Sequence, residues 1–398
     1  MSFEQRIERK SKEWGLKQIS TMVIDNCNAK CLQCFVWKRE PRPAFTPEEM
    51  GKMLANSDIS KLTSFSISGG EPTLRNDLRD ILLTIREYFG GHLVVQSNCF
   101  MKPRLIRAVK NIDKLTVCCS LDGVGELHST LRGMPGGYEM VIDTMETLKK
   151  EDIDFLVSFT VQAANQHQLF DVFEVAKRFD VPFWTRPAGT GHLFNKYDQT
   201  PLDTKRLIAD LEKIKEINPV WISADIDYLK QGHLPFPCTA GLNSVLIAPN
   251  FDVFPCSHCS ETWLLGNIRD VNYNLSELLT RKFSEHCRKC INEIAHPFIA
   301  YEKYGFMQSE VPKLMAKPPG YFLKGLIHPI KAAARKKSLS RPLATNAFGR
   351  PGYFRPSKRL RHAECPEAIE RTRGNHPHRR RQPQTRVRGR RQVAPEPG

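Results

Sequence analysis

The segment Cys27-Asn-Ala-Lys-Cys31-Leu-Gln-Cys34 places three thiols within eight residues. Thiolates are soft ligands suited to zinc or to iron–sulfur clusters, and three of them on one loop can converge on a single centre. A closed structural zinc site takes four protein ligands, so a set of three leaves one coordination position open. In an iron–sulfur cluster, an iron without a protein ligand can bind substrate or cofactor. The spacing therefore predicts a working cluster on Cys27, Cys31 and Cys34.

A second group, Cys238, Cys256, Cys259, Cys287 and Cys290, follows late in the chain. Cys256-Ser-His-Cys259 and Cys287-Arg-Lys-Cys290 are paired CxxC knuckles, and those four thiolates suit a tetrahedral zinc. Cys99, Cys118 and Cys119 fall at strand ends and read as small buried hydrophobes. Cys365 lies in a tail with no partner pattern.

These loops need a scaffold. Short β-branched or apolar runs at 19–25, 62–68, 92–97, 114–120, 155–161 and 182–186 read as strands. Amphipathic stretches near 47–56, 76–89, 103–110, 138–151 and 167–179 read as helices between them. Thr46-Pro-Glu-Glu is a strong helix start, with a capping hydroxyl, proline at the first helical position and a capping-box glutamate. Strands separated by helices predict α/β architecture with a mainly parallel sheet. Six such units suit a partial (β/α)6 TIM-like barrel, with chemistry at the strand C-termini. After a helical segment near 201–217, runs at 244–248 and 252–254 flank the turn Pro249-Asn250 and predict a hairpin held by metal.

The three-cysteine loop after the first strand resembles the radical S-adenosylmethionine (SAM) superfamily, whose signature is C-x3-C-x2-C. The second strand ends in Ser68-Gly69-Gly70-Glu71-Pro72, similar to that family's GGEP motif. The resemblance implies that Gly69, Gly70, Glu71 and Pro72 bind the SAM amino group. Physically, paired glycines allow close approach to a ligand, and a carboxylate suits an ammonium. Ser97-Asn98 ends the third strand where relatives often carry T-N-G, making Asn98 a candidate cofactor contact. Ser120-Leu-Asp122-Gly, followed by His128 and Arg132-Gly133, resembles the branch that includes anaerobic sulfatase maturases. That likeness gives Ser120 and Arg132 the SAM carboxylate and adds Asp122 to the cofactor-binding set. Where relatives commonly carry an aromatic residue or His before the third cysteine, this chain has Gln33, which shifts adenine packing toward backbone and Phe35.

The same resemblance gives the late cysteines a second reading. Cys238, Cys256, Cys287 and Cys290 are similar to the ligands of a SPASM/twitch domain, which holds an auxiliary [4Fe–4S] cluster; Cys259 is then spare. The domain expectations are a radical SAM core at 15–220 and an auxiliary domain at 235–295. A C-terminal helical extension at 296–334 and a disordered Arg-rich tail at 335–398 follow. The implied chemistry is reductive SAM cleavage to a 5′-deoxyadenosyl radical that abstracts hydrogen from a substrate C–H bond. The substrate is a peptide or small metabolite, and the electron donor is a protein such as flavodoxin or ferredoxin. With 26 residues before Cys27, no peptide-binding domain is expected ahead of the core. Arg186 and His192 follow the sixth strand, and Arg186 is the candidate substrate contact. Asp225 and Asp227 are acidic candidates near the domain junction.

Charge adds little about the substrate. The 398 residues carry 59 Lys+Arg against 43 Asp+Glu, a net of +16. Residues 331–398 alone carry +15, which leaves the body almost neutral. A basic, Pro- and Gly-rich tail lacks the apolar surface to fold and is the one place where nucleic acid would bind. The alternative function is accordingly an iron–sulfur or zinc nucleic-acid-binding protein. No uncharged apolar run reaches the roughly 18 residues of a membrane span, and MSFEQRIERK lacks a signal-peptide core. Membrane insertion is not expected. A reduced, cytoplasmic setting suits twelve cysteines that act as ligands.

Overall fold

The computed structural model describes residues 3–188, 200–217, 219–233, 238–260 and 263–279. The chain divides into two units, residues 1–352 and 353–398, and every described residue belongs to the first. The 335–398 tail, the 296–334 extension, His192, Cys287, Cys290 and Cys365 lie outside the described residues.

Six strands alternate with helices: β1 (Gln18–Met22), β2 (Ser64–Ser68), β3 (His92–Ser97), β4 (Leu115–Ser120), β5 (Phe155–Val161) and β6 (Phe183–Pro187). Each pairs in parallel with the next, so the sequence order is also the spatial order. Helix α2 (Pro47–Asn56) follows β1, α3 (Leu78–Tyr88) follows β2, and α4 (Lys102–Val109) follows β3. Helices α5 (Glu126–Arg132) and α6 (Gly137–Lys150) connect β4 to β5, and α7 (Leu169–Phe179) connects β5 to β6. This is the α/β architecture with a parallel sheet expected from the alternation of strand and helix runs.

The start of α2 forms as its sequence dictates. Thr46 Oγ1 accepts from Glu49 N (3.2 Å), while Glu49 Oε2 accepts from Thr46 N (3.0 Å), satisfying two helix-end groups reciprocally. Strand alternation then decides the faces. Ile19, Phe65, Ile67, Val95, Val117, Val157 and Phe159 bury against the helices in one apolar core. The alternate positions, including Ser20, Ser66, Gln96, Thr116, Ser158 and Thr160, form a second, largely polar face. The chemistry-bearing strand ends share that second face.

Three helices were not legible beforehand. The first, α1 (Phe3–Trp14), ends under the side chain of Asn243, whose Nδ2 donates to Ser11 O and Gly15 O, both at 2.7 Å. A helix C-terminus leaves carbonyls to be met from outside, and here a residue distant in sequence bonds Ser11 O in the last turn and Gly15 O just beyond it. The others are the short α5 and α9 (Pro219–Gln231), which packs beside α8 (Thr204–Ile214).

The expected hairpin is present as β7 (Ser244–Ile247) and β8 (Asp252–Phe254), but it is not a detached module. Strand β7 pairs in parallel with β1, with Gln18 opposite Ser244 and Thr21 opposite Ile247. Strand β8 returns antiparallel, and β9 (Gly266–Asn267) pairs antiparallel with β8. One nine-stranded sheet results among the described residues, in the order β6-β5-β4-β3-β2-β1-β7-β8-β9. Phe45, fully buried, stacks on Phe251 of the hairpin turn at 4.5 Å and 6°, joining the loop before α2 to the hairpin. No helix among the described residues is long and apolar enough to cross a membrane.

Candidate active site

The cysteine loop leaves the C-terminal end of β1 and is fixed from three sides. On the β2 side, Gly70 N donates to Ile24 O (2.7 Å) and Glu71 N donates to Asn26 O (2.9 Å). A Cβ at Gly70 would stand 2.0 Å from Asn26 O, and Gly69 has φ +146° with a Cβ position 2.4 Å from Ile24 O. The glycine pair therefore serves the contact of two backbones. The sequence reading assigned it the approach of a ligand.

On the α5 side, Lys30 N donates to Arg132 O (3.1 Å) and Leu32 N to Leu131 O (2.9 Å). Gly133, at φ +58°, ends α5 in the left-handed region, where glycine is the default residue, and its Cβ position lies 2.7 Å from Lys30 O. The third anchor is Asp25, whose buried carboxylate accepts from Arg42 N (3.0 Å), Nε (2.8 Å) and Nη2 (2.7 Å). Burial opposes its charge, but the Arg42 bonds outweigh that and hold the carboxyl below its ordinary value.

Cys31 is buried, and Cys27 and Cys34 are half-buried. Burial pushes the Cys27 thiol up to about 12 and Cys34 to about 11, and neighbouring thiols add to both. Burial also raises Cys31, against the opposing charge of Arg132, whose Nη1 lies 3.9 Å from Cys31 Sγ. Ala29 N (3.4 Å) and Asn98 Nδ2 (4.0 Å) point at Cys27 Sγ. Among the described residues no three His, Cys, Asp or Glu side chains already stand at metal-bonding positions. The fit of a cluster rests on the donor chemistry: three mutually interacting, desolvated thiols with N–H groups aimed at two of the sulfurs.

Glu71 is 1% exposed, and its carboxylate is fully engaged. Oε1 accepts from Thr73 N (3.1 Å), Thr73 Oγ1 (2.7 Å) and Ser97 Oγ (2.9 Å), and Oε2 accepts from Asn98 N (2.8 Å). Burial outweighs the pull of the four donors and leaves this carboxyl above its ordinary value. Its visible work is to tie the β2 loop to the end of β3. Asn98 is oriented in turn, with Nδ2 donating to Asn28 Oδ1 (2.7 Å) and Oδ1 accepting from Phe100 N (3.0 Å).

Past β4, Ser120 is half-buried at the strand end, and Asp122 is fully buried. Arg132 Nε lies 2.7 Å from Asp122 Oδ2, and the carboxylate holds the guanidinium charge firmly against the cost of its burial. His128 Nδ1 accepts from Asp122 N (3.0 Å), which places any ring proton of the neutral form on Nε2. Burial, then the Arg132 charge, pushes His128 down to about 4, so it is neutral at physiological pH. Asn165 Nδ2 donates to Asp122 O (3.0 Å) and to Thr160 O (2.9 Å). Gln33, Asn28 and Asn165 were not assigned these partnerships from sequence, because each partner lies more than 40 residues away along the chain.

Arg186 sits at the end of β6, 14% exposed, with Nη1 3.7 Å from Oδ1 of Asp225 on α9. Asp225 is completely buried beside it. Cys238 and Cys256 are both buried, Cys238 before β7 and Cys256 just beyond β8, and Ala240 N lies 3.5 Å from Cys238 Sγ. The antiparallel return of β8 carries Cys256 toward the N-terminal end of β1, away from the Cys27–Cys34 loop. Cys99, Cys118 and Cys119 are buried in the described structure.

The radical SAM superfamily pattern matches residues 21–166, a span that holds the cysteine loop, the Gly69–Pro72 turn and the Asp122–Arg132 pair. The chain is similar to the AdoMet-dependent heme synthase of Methanosarcina barkeri (strain Fusaro), 23% identical over 281 residues, covering 63% of this chain and 79% of that protein. It is also similar to the antilisterial bacteriocin subtilosin biosynthesis protein AlbA of Bacillus subtilis (strain 168), 25% identical over 311 residues, covering 70% of this chain and 66% of that one. In fold it is similar to Streptococcus suis SuiB bound to precursor peptide SuiA, with TM-score 0.51, 18% identity, and 72% and 73% of the two chains covered. The three cysteines on the loop after β1, braced by the glycine turn of β2 and by Arg132, thus lie in a segment, residues 21–166, that matches the radical SAM superfamily.

Proposed function

We propose that the chain reductively cleaves SAM and uses the resulting radical to take hydrogen from a peptide substrate. The observation that carries the reading is the Cys27–Cys31–Cys34 loop braced against both the Gly69–Glu71 turn and Arg132. Cys27, Cys31 and Cys34 would hold a [4Fe–4S] cluster, which supplies the electron that breaks SAM into methionine and a 5′-deoxyadenosyl radical. Arg132, pinned on one side by Asp122, offers its remaining N–H groups to the SAM carboxylate, with Ser120 nearby at the end of β4. Polar backbone of the Gly69–Pro72 turn receives the SAM amino group, since the Glu71 carboxylate is occupied by its four donors. Asn98 steadies the cysteine loop through Asn28. Arg186, on the polar face of the sheet, contacts the substrate, and Asp225 orients it.

Cys238 and Cys256, with Cys287 and Cys290, would hold an auxiliary [4Fe–4S] cluster able to accept the substrate electron. The choice of a peptide follows from the subtilosin biosynthesis protein and from the peptide bound to SuiB. A small metabolite, as the heme synthase name suggests, is the competing substrate class.

The test is anaerobic reconstitution, then incubation with SAM and dithionite. 5′-Deoxyadenosine is expected from the wild type and is lost in Cys27→Ala, Cys31→Ala and Cys34→Ala. Iron near eight per chain supports two clusters, whereas four irons plus one zinc supports the knuckles. No deoxyadenosine from iron-replete protein, with peptide present, would sink the enzyme assignment.

A further inference from the structure

Asp122 joins three elements through one buried carboxylate. Oδ2 accepts from Gln33 Nε2 at 2.6 Å and faces Arg132 Nε at 2.7 Å, while Oδ1 accepts from Thr160 N at 3.0 Å. Gln33 is 7% exposed and lies between Cys31 and Cys34. Arg132 reaches back to Cys31 Sγ. The side chains therefore close a ring that runs from the cysteine loop through Asp122 and Arg132 and returns to the cysteine loop.

The ring has a consequence for Arg132. A guanidinium has five donors in a fixed fork, and a carboxylate offers about four lone-pair sites. Gln33 occupies one site on the very oxygen that Arg132 faces. Without that donor, Oδ2 is free to take the N–H groups of the guanidinium it faces, and the broad χ2 of aspartate lets the carboxylate turn toward them. Arg132 would then settle fully on Asp122, with less of its fork presented to a ligand carboxylate.

We propose that Gln33 is a positioning residue: by sharing Asp122 Oδ2 it keeps the Arg132 fork turned toward the carboxylate of bound SAM. This rests on the SAM reading above. It gives a job to the residue that, by the resemblance, departs from the aromatic or His usual at this place.

The test compares two unreactive ligands, S-adenosylhomocysteine and its decarboxylated analogue, by anaerobic equilibrium dialysis against reconstituted protein of matched iron content. Gln33→Met keeps the side-chain volume and removes the amide, and with it the donor to Asp122. It should bind S-adenosylhomocysteine about tenfold more weakly, about 1.4 kcal/mol, and bind the decarboxylated analogue as the wild type does. In an Asp122→Asn background no carboxylate remains to draw Arg132 in, so adding Gln33→Met there should change the discrimination no further. Gln33→Leu, which also lacks the donor, carries the test if Gln33→Met does not retain iron. Equal weakening toward both ligands would make Gln33 a packing residue, and no weakening would leave it without a role; either overturns the proposal. If the wild type itself shows no preference for the carboxylate ligand, the assignment of Arg132 falls and takes the proposal with it.

Discussion

Replacing Glu71 by Gln asks whether its carboxylate serves the ligand or the scaffold. In the folded chain Oε1 accepts three hydrogen bonds and Oε2 accepts one, from Asn98 N at 2.8 Å, with the side chain 1% exposed. A glutamine must turn its NH2 toward one of these oxygen positions. The Oε1 position would set it against three donors, so it takes the Oε2 position and faces the Asn98 N–H. The Thr73 and Ser97 hydroxyls can rotate, but the Asn98 N–H belongs to the backbone and cannot. One buried donor is left opposed, at about 1–3 kcal/mol, and the three remaining bonds lose their charge assistance. We expect Glu71→Gln to lose about 3 kcal/mol in urea unfolding at pH 7, followed by circular dichroism, and Glu71→Ala to lose more because it orphans all four donors. The reasoning is refuted if Glu71→Gln unfolds like the wild type yet no longer binds S-adenosylhomocysteine. That result would mean the carboxylate meets the ligand amino group and the four bonds carry no net weight.

Gly70→Ala places a methyl 2.0 Å from Asn26 O; the cysteine loop must move, and iron retention after reconstitution should fall well below wild type while the far-ultraviolet spectrum is kept. Glu49 is bonded by both arms of Arg269 (2.7 and 3.1 Å) and by Tyr273 Oη (3.2 Å), tying α2 to the segment after β9. The Arg269 bonds, then the capping-box and Tyr273 bonds, outweigh burial and hold the Glu49 carboxyl at about 2 against an ordinary 4.5. Its contribution is thus fully present above pH 4.5 and lost as pH falls from 4.5 toward 2. Because the Arg269 side chain is 38% exposed, solvent screening leaves about 1 kcal/mol, and Glu49→Gln should remove that share of the acid sensitivity in urea titrations at pH 7 and pH 3.5. Phe45→Ala removes a fully buried ring stacked on Phe251 and should cost about 3–5 kcal/mol, measured by thermal unfolding; a loss under 1 kcal/mol would show that the stack does not hold the hairpin to the sheet.

The sequence by itself determined the parts whose chemistry is local. Thiols at three- and four-residue spacing, a glycine pair before a carboxylate, and a capping box before an apolar face each act within one loop or one helix turn. Strand runs such as 92–97 and 155–161 were legible as short β-branched or apolar runs between amphipathic stretches. Three helices were not, and α1 shows why: its C-terminal end is held by Asn243, more than 200 residues away, through Ser11 O and through Gly15 O just past the helix. The hairpin was visible as a hairpin, but nothing local in 244–254 announces that β7 will lie parallel to β1 and extend the barrel sheet. The same limit applied at the site. Sequence could name Glu71, Asp122 and Arg132, yet it offered their charges to a ligand. Only the tertiary structure decided that Glu71 is spent on Ser97 and Asn98, that the Gly69–Gly70 pair admits the backbone of 24–26, and that Gln33 shares Asp122 with Arg132. A residue's charge and flexibility are written in its type, whereas the partner that uses them is set by which loops the parallel sheet brings to its C-terminal edge.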